Sequence, residues 1–577
     1  MNNDIIRTDI LIVGGGISGL TCAIKAAEAG SKVLVAEKVN TGGAGMATRA
    51  GNGCMLILPE DVEKYVEYHV RRIGQYANDQ DQLRQVAAVN IETLNTLKNW
   101  GVKLTTDENG DIGFFKNAGS CPWQMVGIEL GALLAMKTAA KKAGVGFKDH
   151  FQVTGILMDD NRAAGAAGFD IYTGDWSVIS AKAVILCTGA CGYRNIRMFT
   201  NYGEGNYLAF RAGAQMRNAE FGNYYEVYSV DKGDTLHGTY PFMYNSKGEN
   251  LWDKYNGDWG APAPTPELLV GMVNEYIAGN QPIYVDFDML KEAIEEGSEW
   301  GVMGQTTDIA ATSGGSEMIR MFPDKLKWVK LFDERESEYL HMTSRPEVKI
   351  GLHGNTGSIR VGLDFQTTTP GLFAAGIDTW NGSGYGGAVP QPGLQKGNGI
   401  AYSASSALLC ALAAAEYVKN VNRTPCIDET QAEVIQKETF VYIDRTDGVD
   451  PHDVIASIRS CIAPVKYNFI RNGDRLREAI NMLDTIKNNM IQKMQADDWH
   501  SLSVCNAAKA MAFTTELVLH SALARTESRG FHIREDYPMR DDKNWLKWVL
   551  ADNVDGEIVI STENIPIDKY KYRPDNE

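Results

Sequence analysis

The stretch Asp9-Ile10-Leu11-Ile12-Val13-Gly14-Gly15-Gly16-Ile17-Ser18-Gly19 decides the fold. An apolar run passes directly into G-x-G-x-x-G and then into a helical pattern from Leu20 to Ala29, which Gly30 stops. A second strand, Lys32 to Ala36, ends at Glu37. Together these make a βαβ unit of the dinucleotide-binding kind. Gly14 permits the tight turn, Gly16 lets backbone approach a pyrophosphate, and Gly19 allows the helix to pack closely. The helix N-terminus, with Ile17 and Ser18 in its first turn, faces the phosphates. Glu37 sits where a carboxylate accepts hydrogen bonds from ribose hydroxyls, with Lys38 beside it. A lone glycine motif is weak; strand, helix and acid in register make it specific.

Two later segments bear on which dinucleotide is bound. Ala183-Val184-Ile185-Leu186-Cys187-Thr188-Gly189 reads as a buried strand ending in a small polar turn. Thr369 to Asp378 reads as a turn, a strand, then Gly376 and Asp378 at the strand's carboxyl end. Their order resembles the three-part fingerprint of the FAD-binding oxidoreductases, which implies FAD rather than NAD alone. In that family the acid near the last strand contacts the flavin ribitol or the pyrophosphate, a role that falls on Asp378. The run Thr41-Gly42-Gly43-Ala44-Gly45 and the following Met46, Ala47 and Gly51 fit main chain passing beside the isoalloxazine. Val153, Thr188, Gly189, Glu204, Asn398, Gly399 and Ile400 complete the expected cofactor contacts. The loop from Ala44 to Gly53 contains no His, so FAD is expected to be non-covalent.

The C-terminal run from Ala524 through Arg525-Thr526-Glu527-Ser528-Arg529-Gly530-Phe531-His532 to Pro538 resembles the signature of the succinate dehydrogenase and fumarate reductase flavoprotein subunits. It also resembles aspartate oxidase and, more distantly, the adenylylsulfate reductase α subunit. Gly203-Glu204-Gly205 followed by Arg211-Ala212-Gly213-Ala214 is similar to the family's GDG…RAGA helix, with Glu for the usual Asp. Asn245 to Glu249 and Ile283 to Asp286 match its cap-domain landmarks. The resemblance implies an α/β fold: an FAD-binding Rossmann-like domain with an inserted α+β capping domain and a C-terminal helical domain. The expected FAD-binding domain covers 1–225 and 344–425, the capping or substrate domain 226–343, the helical domain 428–548 and a tail 549–577, with a short strand at Gly556 to Ile560.

The catalytic set departs from the family. Reducing a C=C bond needs hydride at one carbon, a proton at the other, and cations to hold a dicarboxylate. His353, in His353-Gly354-Asn355-Thr356-Gly357-Ser358, resembles the family's His before a glycine pair and is the first polar candidate. The family's proton-donating Arg falls in Glu267 to Val273, which holds neither Arg nor Lys, and no Arg occurs from Val361 to Asn422. Fumarate or succinate chemistry is therefore not expected, and adenylylsulfate reductase chemistry loses a cap Arg at Leu268. Aromatic residues stand in place of the clamp: Trp380, Tyr385, Tyr193, Tyr224, Tyr225 and Tyr228. Tyr385, in a Gly-rich loop, is a candidate proton donor to a larger, less charged enone, and His237 is a further candidate.

Composition bounds the rest. The 577 residues carry 56 Lys and Arg against 73 Asp and Glu, a net charge of −17, which argues against nucleic-acid or anionic-membrane binding. The nine Cys form no CxxC, so no iron–sulfur cluster or other metal site is expected, and the thiols read as reduced, in a cytoplasmic protein. The N-terminus shows no leader, and the longest apolar helical stretch, about Ala407 to Val418, reads as too short to span a bilayer. With no cluster, haem or second dinucleotide motif, electrons are expected to pass through an iron–sulfur partner protein, or to dioxygen as in aspartate oxidase. The expected function is an FAD-dependent reductase or dehydrogenase that moves hydride between flavin N5 and a C=C or C–C bond of a small molecule. Sulfur chemistry of the adenylylsulfate reductase kind and a non-catalytic electron-transfer subunit are the alternatives.

Overall fold

A computed structural model describes residues 5–43, 45–48, 53–113, 115–116, 124–129, 131–195, 201–230, 242–255, 265–289, 292, 296, 345–355, 357–379 and 398–574. Strand β1 (Ile6–Val13) lies inside a seven-stranded sheet. Ile10, Leu11 and Ile12 are fully buried, as expected of a parallel strand covered on both faces. It runs parallel to β2 (Val33–Ala36) on one side and to Trp176–Leu186 on the other. Gly146–Lys148 extends the sheet beyond β2, and Arg162–Asp170 and Phe151–Asp159 continue it antiparallel. The short strand Leu372–Ala374 joins in parallel beside residues 184–186. Val13 pairs with Leu186, and Leu186 with Ala374, so three strands end in line. In parallel α/β sheets a ligand crevice forms beyond such ends.

Helix α1 (Ile17–Glu28) packs against the helix Asn398–Asn420 through small residues. Gly19, Ala23 and Ala26 on one side and Ala404, Ala407 and Ala411 on the other are all buried. This second helix corrects the expected apolar stretch of 407–418, for it runs 23 residues. Gly399–Asn420 has the length, 22 residues, and the mean hydropathy, 1.3, of a membrane span, yet 67% of that window is buried within the protein. It is a core helix, packed against α1 and against the strands Ile6–Val13 and Trp176–Leu186.

Two further units frame the crevice. Asn223–Ser229, Glu347–Gly354, Ile283–Val285 and Met243–Tyr244 form a four-stranded antiparallel sheet. The C-terminal helices Glu429–Phe440, Pro451–Ile462, Gly473–Asn489 and Trp499–Ala524 each begin at a side chain that caps the first turn: Asp428, Asp450, Asn472 and Asp498. The helical pattern expected to 548 stops at Ala524, leaving only the turn Asp542–Trp545. Beyond it, buried ion pairs rather than an apolar stripe fix the chain, as described below. The expected tail strand runs from Glu557 to Asn564 and pairs along its length with Lys547–Val554, and that hairpin joins Met216–Arg217 in a three-stranded sheet.

Candidate functional site

The turn after β1 is shaped by contacts that only hydrogen tolerates. A Cβ on Gly14, at φ +104°, would lie 2.3 Å from the Cys187 carbonyl oxygen, and one on Gly19 would lie 1.8 Å from that of Gly14. Gly16 differs, because its Cβ would meet nothing nearer than the Gly45 Cα at 4.0 Å. Gly16 also caps α1 without a side-chain bond, and no acid stands in the helix's first turn. The first turn of α1 therefore has no side-chain acceptor from its cap, and there is room beside Gly16, an arrangement suited to an anion.

Glu37 follows β2 and is buried. Its carboxylate accepts from the amides of Gly15 at 2.5 Å and Val39 at 3.0 Å. Burial pushes its pKa up, and these amide bonds oppose that. Lys38 Nζ pairs with Glu204 at 2.8 Å, and Gln152 donates to the same carboxylate oxygen at 3.0 Å. Gln152 Oε1 is buried and has no hydrogen-bond partner among the described residues. Gln152, Val153, Thr154 and Glu204 line a narrow cleft of about 20 Å³. Thr41 is anchored by its amide (2.8 Å) and hydroxyl (2.6 Å) to Asp149, and Gly42 N–H donates to Gly15 O at 3.0 Å, which holds the 41–43 turn against the glycine motif.

At the far strand ends, Asp378 is fully buried and accepts from both the amide and the hydroxyl of Thr188, the latter at 3.0 Å. Thr188 Oγ1 accepts in turn from the Gly205 amide at 2.8 Å. Burial pushes the Asp378 pKa up to about 7, against the lowering effect of these donors. Gly376, at φ +69°, sits so close that a Cβ would lie 2.1 Å from Ser18 Oγ, and its amide donates to Ser406 Oγ at 3.0 Å. The 376–378 turn thus lies between Ser18 of α1 and Ser406, about two turns into the helix Asn398–Asn420.

Beyond this turn the strand Glu347–Gly354 returns to the sheet. Its ladder pairs Tyr224 with Leu352 and Asn223 with Gly354, so His353 is the extra residue of a β-bulge. Bulges are enriched beside active sites, where they re-aim a side chain. The side chains of His353, Met46, Asn398, Tyr225 and Tyr228, and all of Gly51, His237, Trp380 and Tyr385, lie outside the described residues.

Two of the aromatic candidates are corrected. Tyr193 and Tyr224 are fully buried, with their hydroxyls committed to Asn355 Oδ1 and to Asn468 O, each at 2.7 Å. Burial pushes both pKa values up. They brace the structure and do not face a substrate. Sequence reasoning passed over Gln152, Asp149, Ser406 and Asn355. Gln152 and Asn355 stand one and two residues from chosen positions, and that adjacency was the only signal.

The C-terminal signature also acquires a physical meaning. Arg525 bonds Glu220 (2.6 Å) and Glu527 (2.9 Å), and Arg529 bonds Glu527 (2.6 Å) and Asp542 (2.9 Å). Arg471 donates to His532 Nδ1 at 2.6 Å and to Glu220 O at 2.8 Å. Arg471, Arg525, Arg529, Glu220, Glu527 and His532 are all buried. They clamp the C-terminal segment onto residues 217–224, which lead from the first sheet to the second.

Residues 9–227 match the family model described as an FAD binding domain, and residues 464–577 match that of the fumarate reductase flavoprotein C-terminus. The fumarate reductase flavoprotein subunit of Mycobacterium tuberculosis is 25% identical over 576 residues, 94% of each chain. L-aspartate oxidase of Saccharolobus solfataricus is 25% identical over 559 residues, 93% of this chain and 97% of that one. FrdA of Escherichia coli quinol fumarate reductase shares the fold with a TM-score of 0.80, at 19% identity, over 99% of this chain and 98% of that one.

Proposed function

The chain belongs to the succinate dehydrogenase and fumarate reductase flavoprotein superfamily, and from that premise we propose that it is the catalytic flavoprotein subunit of a reductase or dehydrogenase acting on a carbon–carbon bond of a small organic molecule, with an iron–sulfur protein as its electron partner. It is an FAD-dependent oxidoreductase, and FAD is its cofactor.

The residues fit that cofactor. The open space beside Gly16 and the uncapped start of α1 suit the pyrophosphate. Glu37 suits the adenosine ribose. The buried Gln152 Oε1, beside Val153 and without a partner among the described residues, is an acceptor that the adenine amino group would satisfy. Lys38 and Glu204 close that end by their ion pair. At the other end the 41–47 turn, Thr188, Gly189, Gly376, Asp378 and the helix start at 398–400 suit the ribitol and the ring. FAD, when bound, supplies the hydride acceptor or donor at N5. Nothing in the 44–53 loop offers an imidazole for a covalent tether, so the cofactor is dissociable.

On this reading the cap is wider than the expected 226–343, because Asn223–Ser229 and Glu347–Gly354 pair into the second sheet, and substrate lies between that cap and the flavin. His353 gives or takes the proton, with Tyr385 from its Gly-rich loop and His237 from the cap as further donors. The observation that carries the reading is the bulge at His353, where the strand of the second sheet returns to the FAD crevice. The chain lacks Arg at both positions that resemble the family's dicarboxylate clamp, which favours a less charged substrate such as an enone over fumarate. The chain contains no CxxC or haem motif, which supports an external iron–sulfur partner for the electrons. The test is anaerobic photoreduction of the loaded protein, followed by reoxidation with fumarate, enoates, steroid-like enones, adenylylsulfate or dioxygen. Fast reoxidation by an enone or enoate is expected. Silence toward all of them, with fast reoxidation by a ferredoxin, would overturn the catalytic reading in favour of electron transfer.

A further inference from the structure

We propose that Tyr193 and Asn355 are positioning residues that lock the bulged turn bearing His353 against the flavin-binding sheet; the inference rests on the reading that His353 works at the flavin. Asn355 is held on every side. Its amide and carbonyl pair with Cys191 O (2.9 Å) and N (2.8 Å), just beyond Gly189. Its side-chain carbonyl accepts from the Tyr193 hydroxyl at 2.7 Å, and its amide group reaches Ala219 O (3.5 Å) and Phe221 O (3.4 Å). One buried residue of the segment returning from the second sheet therefore binds the loop after the strand Trp176–Leu186 and the segment leaving for that sheet. His353 lies two residues away, across Gly354.

Backbone strain at the same place is an independent observation. Tyr193 and Arg194 are consecutive non-glycine residues at φ +53° and +50°, a conformation that persists only where the surroundings over-determine it. Gly354, at φ +146°, comes so close to the 191–192 backbone that a Cβ would lie 2.4 Å from Cys191 O. The strained loop and the bulged strand are thus pressed together and joined by the Tyr193–Asn355 bond. A bulge leaves its extra residue outside the ladder and free to turn. Pinned at Leu352 by the ladder and at Asn355 by Cys191 and Tyr193, His353 has one backbone path.

The experiment uses the FAD-loaded full chain and reads the flavin midpoint potential by dye equilibration from pH 6 to 9. An imidazolium beside the flavin favours the reduced, anionic form, so His353→Ala lowers the potential and removes a pH-dependent step. Tyr193→Phe, which deletes one oxygen, is expected to lower it in the same direction by a part of that shift. Asn355→Ala is expected to do the same or more. The His353→Ala/Tyr193→Phe double variant is expected to match His353→Ala alone, because the two act through one group. If Asn355→Ala does not fold, Tyr193→Phe carries the test. A wild-type potential in Tyr193→Phe, alongside a shifted one in His353→Ala, overturns this inference and leaves the functional reading standing. Additive shifts in the double variant also overturn it. No shift in His353→Ala overturns the functional reading, and this inference with it.

Discussion

Asp378 accepts hydrogen bonds from both the backbone amide and the hydroxyl of Thr188, tying the end of the last parallel strand to the end of the central one. The contact is fully buried on the Asp378 side, and burial, opposed by the Thr188 and Gly189 donors, holds the carboxyl at about 7 rather than 3.8. A carboxyl whose folded pKa is raised keeps a proton that the unfolded chain has lost. Its contribution is complete below about pH 4 and fades as pH rises toward 7. The flavin-free protein is therefore expected to lose stability from this group between pH 4 and 7, by at most about 4 kcal/mol. Thermal unfolding of the flavin-free wild type and of Asp378→Asn across that range checks it. The difference between the two must shrink in the wild type's disfavour as pH rises.

The glycines of the first turn are expected to separate folding from cofactor binding. Gly14→Ala forces a Cβ to within 2.3 Å of a carbonyl oxygen at φ +104°, so the variant is expected to be poorly folded with or without FAD. Gly16→Ala meets only Gly45 at 4.0 Å, and its backbone at φ −76° suits any residue. Its flavin-free stability is expected to stay within about 0.5 kcal/mol of wild type. FAD affinity is expected to fall at least tenfold, because the methyl group occupies the approach of the pyrophosphate. Denaturant midpoints of the flavin-free proteins and flavin titration read the two effects separately.

Much of this site is legible in the sequence, for reasons that also mark where legibility ends. The β1–α1–β2 unit and Glu37 stand out because a period-of-strand run, a glycine turn and an acid must fall in one register. The helix Asn398–Asn420 extends further than its apolar stretch, because Gly399, Ser403, Ser405 and Ser406 add nothing to an apolar run and are helical through packing on α1 and bonds such as Gly376 N–H to Ser406 Oγ. Residues 525–545 defeat a periodicity argument altogether. Their order comes from arginines paired with Glu220 and Glu527, and Glu220 lies 305 residues away from Arg525. His353 is found by resemblance alone, and its bulge depends on strand pairing that no local pattern announces. Tyr193 and Tyr224 stand out in the sequence only as aromatic residues, and their buried partners Asn355 and Asn468 reveal what they do.

His532 gives a second pH prediction of opposite sign. Its Nδ1 accepts from Arg471 and its Nε2 bonds Arg525 O at 3.1 Å, so the ring is neutral with the proton on Nε2. Burial, then the charges of Arg471 and Arg525, hold its pKa well below 6.5. The unfolded His takes a proton below about pH 6.5 that the folded one refuses, so stability falls as pH drops through that value. His532→Gln is expected to reduce the loss between pH 7 and 5, seen as a smaller drop in the urea midpoint. His532→Ala, which deletes the acceptor of a buried Arg471, is expected to cost about 1–3 kcal/mol at pH 7.

Glu275 should fix the fold of the second sheet's neighbourhood. It is buried, yet its carboxylate accepts from Tyr255 (2.5 Å), Asn245 (2.8 Å) and Asn280 (2.7 Å) and pairs with Lys254 at 2.8 Å. Burial pushes its pKa up, but these four donors outweigh it and hold the value at about 2. A depressed carboxylate stabilises the fold above its unfolded value of about 4.5, and that stability is lost as pH falls toward 2. Glu275→Gln keeps the shape, cannot pair with Lys254, and brings a donor up against donors. It is expected to cost about 1–3 kcal/mol at pH 7 and progressively less as pH falls below 4.5. Because the damage is confined to the helix and strands around residue 275, hydrogen exchange should quicken at Met243–Tyr244 and Ile283–Val285. The amides of β1 and α1 should stay protected and FAD affinity unchanged. Global loss of protection in Glu275→Gln would show instead that the second sheet folds only together with the first.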